Sequence, residues 1–397
     1  MSTWPIKELA HVATILRIGI NPRDIDGDTK YVGLENIESG GRIINVSTAE
    51  AAGIESQKYQ FTADHILYGK LRPYLAKIAR PNFGGVCSTD ILPIEPSPAI
   101  DRNYLCHFLS QPSMISKANA RATGVNLPRI NPAELGKFTV PVPPIAVQRR
   151  IAEVLDHVDA LREKRRKSIA LLDDLAQSIF LDMFRDPRDG MLRETLTLGD
   201  VAEIQGGLQV TLKRKTLPIS VPYLRVANVH RGGLDLSEIK QMNVTDRELE
   251  RTALRKGDLL VVEGHGNPSE IGRVAVWDGS ITTCTHQNHL IRVRVDESRM
   301  FPEYAESYLN STVGRRHLLR SAKTTSGLNT ISTSTVRSAP VMVPQLPLQE
   351  EFRERTRRIS SAREKHQASL AHLDTLFSSI QSRAFRGELW QDDLKDL

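Results

Sequence analysis

Two stretches of the chain repeat apolar residues in steps of three and four. In the first the steps fall on Ile151, Val154, Val158, Leu161, Arg165, Ser168, Leu172, Leu175 and Ile179. In the second they fall on Phe352, Arg355, Ile359, Ala362, His366, Ser369, Leu373, Leu376 and Ile380. Each lies in a run of about 40 residues without glycine or proline. One runs from about Ile145 to Arg185 and stops at Asp186-Pro187; the other runs from about Leu348 to Arg386 and stops at Gly387. The spacing predicts two long helices with a heptad seam, interrupted in the second by Arg355. Both seams turn polar midway, at Arg165 and Ser168 and at His366 and Ser369. Antiparallel pairing would set these polar steps face to face, and any other register would bury Arg165 against leucine; the alternative is that Arg165 and His366 sit at the edge of the seam and snorkel to water. Elsewhere the pattern is mixed. Short runs such as Gly41–Val46 and His289–Val295 predict strands, separated by turn signals at Asn267-Pro, Asp278-Gly and Arg231-Gly-Gly.

The same order of segments occurs twice. Leu9-Ala-His-Val12 resembles Val201-Ala-Glu-Ile204, and Tyr31–Ile37 resembles Tyr223–Val229, both at an offset of 192. Gly124-Val-Asn126 matches Gly327-Leu-Asn329, and Val140–Gln148 matches Val341–Gln349, at offsets of 203 and 201. Each half is a mixed stretch, a proline-rich hinge and a long helix. An internal duplication follows. The boundaries expected are 1–144 and 187–343 for the mixed domains, 145–186 and 344–387 for the helices, and 388–397 for a tail.

Composition narrows the function classes. With 397 residues, 40% hydrophobic and 25% charged, the chain has the makeup of a globular protein with two or three domains. Its three cysteines exclude a disulfide scaffold and suggest a reducing compartment. There is no apolar run long enough to span a membrane, and the opening Met1-Ser-Thr-Trp-Pro-Ile-Lys-Glu lacks the layout of a signal peptide. A cytoplasmic protein is expected. The net charge of +6 permits nucleic-acid binding without establishing it.

Catalytic signatures are missing. No phosphate-binding loop appears, and Asn131-Pro132-Ala133 does not make the motif of an amino-methyltransferase. Glu238-Ile-Lys240 resembles part of a nuclease site but lacks an acidic partner upstream. Cys284-Thr-His286-Gln-Asn-His289 offers three metal-ligand side chains without a fourth. It reads as a polar surface cluster at the leading edge of a strand, with Cys284, His286 and Asn288 on one face and Gln287 and His289 on the other.

The duplication resembles the specificity subunit of type I restriction–modification systems. The segments that carry the likeness are Tyr68–Lys77, Ala122–Ile130 and Pro141–Gln148 in the first half, and Glu263–Arg273, Cys284–His289 and Ser326–Ser332 in the second. The resemblance implies an α+β fold: two tandem mixed α/β target-recognition domains, each followed by a long helix. The two helices would pair as an antiparallel coiled coil with internal pseudo-two-fold symmetry. It implies a non-catalytic subunit, each half reading one part of a split, asymmetric sequence in double-stranded DNA. The helices would set the unread spacer and dock two methyltransferase subunits. Motor-nuclease subunits would join for cleavage. S-adenosylmethionine, ATP and Mg would sit on those partners, and no cofactor or metal in this chain. The alternative is a coiled-coil adaptor without sequence-specific DNA binding.

Lys70, Arg72, Tyr74, Lys77 and Arg80 interleave basic and aromatic groups after a strand, a pattern suited to phosphates and, through Arg72, to guanine. In the second half the residues expected at DNA are His265, Asn267, Gln287, Asn288 and His289. The run Lys213-Arg214-Lys215 and the mid-helix run Arg162–Lys167 are either solvated or facing DNA.

Overall fold

The computed structural model describes residues 4–184, 193–267, 270–325 and 328–389. The Asp186-Pro187 helix stop, Pro268, Ser269, Ser326 and Gly327 lie outside the described residues, as does the end of the tail. Contacts divide the chain into two units, Met1–Arg166 with Gln367–Leu397, and Lys167–His366. Each unit therefore takes one half of each long helix.

In the first unit an antiparallel sheet carries the strands in the order Ala13–Ile15, Ile91–Pro96, Ile66–Gly69 and Ile78–Ala79. A second sheet runs Gly19–Ile20, Lys58–Phe61, Gly85–Cys87, Lys30–Val32 and Ser47–Thr48, with one parallel pairing, Tyr31 beside Val86. The second unit repeats the plan. Ala202–Gly206, Leu290–Val295, Leu259–Val262 and Val274–Val276 form the antiparallel sheet. Lys240–Val244, Ile219–Leu224 and Thr285–His286 form the other, again with one parallel pairing, Tyr223 beside Thr285. Of the two predicted strands, His289–Val295 is realised as Leu290–Val295. Gly41–Val46 is not a strand. Asn36 donates to the carbonyls of Ile44 and Asn45 (3.1 and 2.8 Å), which holds this segment as a loop. Its counterpart Asn228 does the same to Asp235 and Glu238 (2.8 and 3.0 Å).

The long helices are Ile145–Phe184 and Leu346–Phe385, each 40 residues or about 60 Å long. Pro347 is accommodated in the first turn of the second, where its missing N–H is not needed. The hinge before each helix is locked by one buried glutamine. Gln148 donates to Pro143 and Ala99 carbonyls (2.8 and 3.1 Å) and accepts from the Asp101 amide (2.8 Å). Gln349 repeats this with Pro344, Arg299 and Phe301 (2.7, 2.9 and 2.8 Å). Both are fully buried. Asp101 and Phe301 each precede a short helix, so one side chain ties sheet domain to long helix. Tyr104 and Tyr304 add hydroxyl bonds to Pro141 and Met342 carbonyls (2.9 and 2.8 Å).

Within each unit the helix halves run antiparallel. In the first, Ile151, Ala152 and Leu155 share a core with Ala384, Ile380 and Phe377. Arg162 pairs with Asp374 at 2.6 Å. In the second, Phe180 and Phe184 pack on Phe352 (ring centroids 5.7 and 5.5 Å apart), and Arg363 pairs with Asp173 at 3.2 Å. The pairs 162–374 and 363–173 exchange under the offset of 201, so the duplication extends to individual side chains.

The seam differs from the heptad expectation by one residue at alternate steps. Ile151, Val158, Arg165, Leu172 and Ile179 lie buried or half-buried, as do Phe352, Ile359, His366, Leu373 and Ile380. The intervening inward positions are Leu155, Arg162, Ile169 and Ala176, then Thr356, Arg363, Leu370 and Phe377. Leu175 and Leu376 are both 47% exposed, against the seam role given them. Val154 and Leu161 are half-buried beside the seam. The arginines explain the shift. Arg162 and Arg363 turn inward on their aliphatic stems and meet aspartates, which a hydrophobic pattern scores as polar. Arg162 is thus largely withdrawn from solvent, and Arg355 pairs outward with Glu351 at 2.6 Å.

Candidate nucleic-acid interface

The fully buried strand Ile66–Gly69 delivers Lys70 into a loop that is zipped to a second loop, Gly124–Ile130. The amide of Ile130 donates to the Lys70 carbonyl (3.0 Å), and that of Arg72 to Pro128 (2.7 Å). Gly124 turns this second loop with φ +110°, and a Cβ there would lie 3.1 Å from the Leu127 carbonyl. Arg72 and Ala76 take left-handed φ of +50°, uncommon for residues with a side chain. The loop is thereby bent so that Arg72 and Tyr74 stay exposed, beside the exposed Asn126 and a fully exposed Val125. The Arg72 guanidinium reaches the Asn126 carbonyl at 3.5 Å.

The other three residues of the predicted basic run have different tasks. Lys70 lies 4.0 Å from Asp90. Lys77 donates to the Leu34 carbonyl. Arg80 holds Asp156 of the long helix through two bonds (3.0 and 2.7 Å), and His107 meets the same carboxylate at 2.7 Å. Burial alone would raise the Asp156 carboxyl, but the His107 and Arg80 bonds bring it down to about 2. Arg80 therefore ties its loop to the long helix. Arg129 was missed: it binds Asp90 in a fork (2.9 and 3.1 Å). The Gly-x-Asn shared by the two halves was the available signal for this second loop.

The second unit builds the same place from other side chains. Strand Leu259–Val262 leads into Glu263. The Glu263 amide donates to His289 and its carbonyl accepts from Ile331 (both 2.9 Å), as Lys70 does with Asp90 and Ile130. Hence Lys70 and Asp90 correspond to Glu263 and His289, with the basic and acidic partners exchanged. His289 stands 3.5 Å from Glu263. Burial pushes the Glu263 carboxyl up, and His289 draws it partly back. His265 occupies the place of Arg72. Its Nδ1 accepts from the Asn267 amide (3.0 Å), which leaves Nε2 to carry the proton of the neutral ring.

Gln287 and Asn288 are half-buried in the turn that enters strand Leu290–Val295. Only the second half of the Cys284–His289 segment reaches the surface. Cys284 and His286 are fully buried, on and beside the short strand Thr285–His286, which pairs parallel to Tyr223–Leu224. Alternation of faces ends there, since the chain turns at Gln287. Burial pulls the His286 imidazole down to about 4. Among the described residues no group of three or more metal-ligating side chains comes together. Within the Lys213–Lys215 run, Arg214 is forked onto Glu248 (3.1 and 3.0 Å) and is structural. Glu238 is taken by Arg225 at 3.0 Å.

Each unit thus presents one loop platform with the same backbone bonds. The first offers a guanidinium, a phenol and an apolar tip. Arginine can fork onto guanine, and an exposed aliphatic group suits the thymine methyl. The second offers imidazoles, an amide and a carboxylate.

Residues 1–171 match the type I restriction modification DNA specificity domain. The chain is 27% identical over 342 residues to the type I restriction enzyme EcoKI specificity subunit of Escherichia coli (strain K12), covering 80% of this chain and 71% of that protein. It is 25% identical over 334 residues to the StySPI specificity subunit of Salmonella potsdam, covering 80% and 71%. The solved S subunit of a type I restriction-modification system from M. genitalium shares the fold, with a TM-score of 0.52 over 96% of both chains at 13% identity.

Proposed function

We propose, since the chain belongs with the specificity subunits of type I restriction–modification systems, that each of its units reads one part of a bipartite, asymmetric DNA target. In this reading Arg72 and Tyr74, with Asn126 and Val125, face the bases of one part. His265, Asn267 and His289, flanked by Gln287 and Asn288, face the other. The paired long helices set the spacer and dock two methyltransferase subunits in the cytoplasm. Motor-nuclease subunits join for cleavage. Methyl transfer and ATP-driven steps belong to the partners, which hold S-adenosylmethionine, ATP and Mg, while this chain supplies recognition only.

The observation that carries the reading is the loop platform built twice. The backbone bonds at Lys70 and Glu263 are the same, but the side chains that follow differ, Arg72 and Tyr74 in one and His265 and Asn267 in the other. Two copies of one reader with unlike tips give an asymmetric target. The test is selection of random duplexes by the chain together with its methyltransferase. A split motif with a fixed gap is expected. Salt-sensitive binding without sequence enrichment would overturn the reading in favour of the adaptor.

A further inference from the structure

The second unit contains a cavity of about 320 Å³. It lies among the C-terminal half of the first long helix, the N-terminal half of the second, the helix Pro302–Asn310 and the turn at Gly232. The first unit has the same helices, so the helical lining positions have counterparts there. Where the first unit has Phe377, His107 and Leu155, the second has Ala176, Ser307 and Thr356. All three exchanges remove bulk.

The first unit shows what normally occupies this place. The Phe377 ring lies 4.5 Å from the Arg162 guanidinium, and the His107 ring tilts against it with centroids 6.1 Å apart. An aromatic ring on an arginine, with a nitrogen heterocycle beside it, fills the space. In the second unit the counterpart of Arg162 is Arg363, which lines the cavity. Asp173 and the Gly232 carbonyl hold its guanidinium in place, and Ala176 supplies no ring to cover its face.

The remaining wall is hydrogen-bonding. Glu306 accepts from the Val276 amide at 2.8 Å. Gln177, Ser307 and Asn310 stand around it. Acidic side chains in the lining outnumber arginines by four to two, which disfavours a phosphate. The volume is at the lower end for ligand pockets, roughly 300–1,000 Å³.

We propose that this cavity is a binding site for a nucleobase or its nucleoside, stacked on the Arg363 guanidinium where Phe377 stacks in the other unit. Guanidinium planes stack on bases, and carboxylates accept from exocyclic amines. Adenosine, guanosine and cytidine fit this chemistry; thymidine lacks the amine, and AMP carries a charge that the acidic wall repels. The site is separate from the DNA-reading loops and does not depend on their assignment.

Calorimetric titration of the full chain with these five compounds tests the proposal. Saturable 1:1 binding of an amine-bearing nucleoside is expected, at least tenfold tighter than thymidine or AMP. Ala176→Phe, which restores the arrangement of the first unit, should weaken it at least tenfold without lowering Tm. Glu306→Gln should weaken it about tenfold, and this decides the matter if Ala176→Phe fails to fold. Absence of nucleoside binding at millimolar concentration would overturn the proposal, as would unchanged binding in the variants. Crosslinking from position 176 to the methyltransferase, without nucleoside binding, would also overturn it, by showing an aromatic side chain of the partner in the cavity.

Discussion

The two units share a hidden framework and differ where they are exposed. Gln148 and Gln349 make the same three backbone bonds. Asn36 and Asn228 anchor the same loop, and Lys70 and Glu263 occupy the same node of backbone bonding. A backbone bond does not depend on the side chain at that node, so lysine and glutamate exchange there without disturbing the loop. The glutamines and asparagines have no such freedom, because their side chains are themselves the links. Divergence therefore concentrates at the tips and in the cavity, where side chains meet solvent or empty space.

The largest test of that equivalence is removal of the linking glutamines. Gln148→Leu and Gln349→Leu each strand three backbone groups, one buried and two partly buried. Each should reduce stability by on the order of 3 kcal/mol. Hydrogen exchange, read unit by unit under mild denaturant, should show each loss in its own unit and of similar size. A loss confined to one variant would break the comparison.

Next come the tips. Arg72→Ala should weaken binding to the intact target by about 1–3 kcal/mol and relax preference at one half-site only. His265→Ala should relax the other, by a smaller amount. Anisotropy titrations on duplexes altered in one half at a time measure both. If either variant relaxes both halves, the loops do not act as independent readers.

The long helices were legible because nothing breaks 40 residues of each. The seam was only half legible. Leucines at 175 and 376 look like core, yet arginines at 162 and 363 take the inward positions by pairing with aspartates across the helices. The recognition loops were legible as places and not as roles. Interleaved charges marked Lys70–Arg80, but Arg80 and Lys77 are held by groups remote in sequence, Asp156 and Leu34. Cys284 and His286 were misplaced because a two-residue buried strand is too short to show alternation. The cavity left no sequence signal, since it arises from three small residues on separate elements.

Acid should separate the units in opposite directions. The Asp156 carboxyl of the first unit lies below its ordinary 3.8, at about 2. The unfolded chain takes up that proton first, so this contribution is present above pH 4 and is lost as pH falls toward 2. In the second unit burial raises the Glu306 carboxyl from 4.5 to about 6. The folded unit binds that proton more tightly, so this contribution is full below pH 4.5 and is lost as pH rises through 6. Exchange rates between pH 3 and 7 should move oppositely for Asp156→Asn and Glu306→Gln relative to the parent chain. Parallel movement would remove the electrostatic part of the contrast.

The smallest expected effect is also the most specific. Arg162 and Arg363 are related by the duplication, and each meets an aspartate that is nearly half exposed. Such pairs contribute little, about 0.2–1 kcal/mol. Only Arg162 also has an aromatic ring over it, Phe377 at 4.5 Å. A double-mutant cycle on Arg162 and Phe377 should give a coupling of about 0.5–1 kcal/mol. The matching cycle on Arg363 and residue 176 should give none in the natural chain, because alanine has no ring. Starting instead from Ala176→Phe, the same cycle should recover the coupling of the first unit. Its appearance would show that the two places differ by side-chain bulk alone. Its absence would mean that the backbone around Arg363 has itself diverged, and the first unit would cease to be a guide to what fills the cavity.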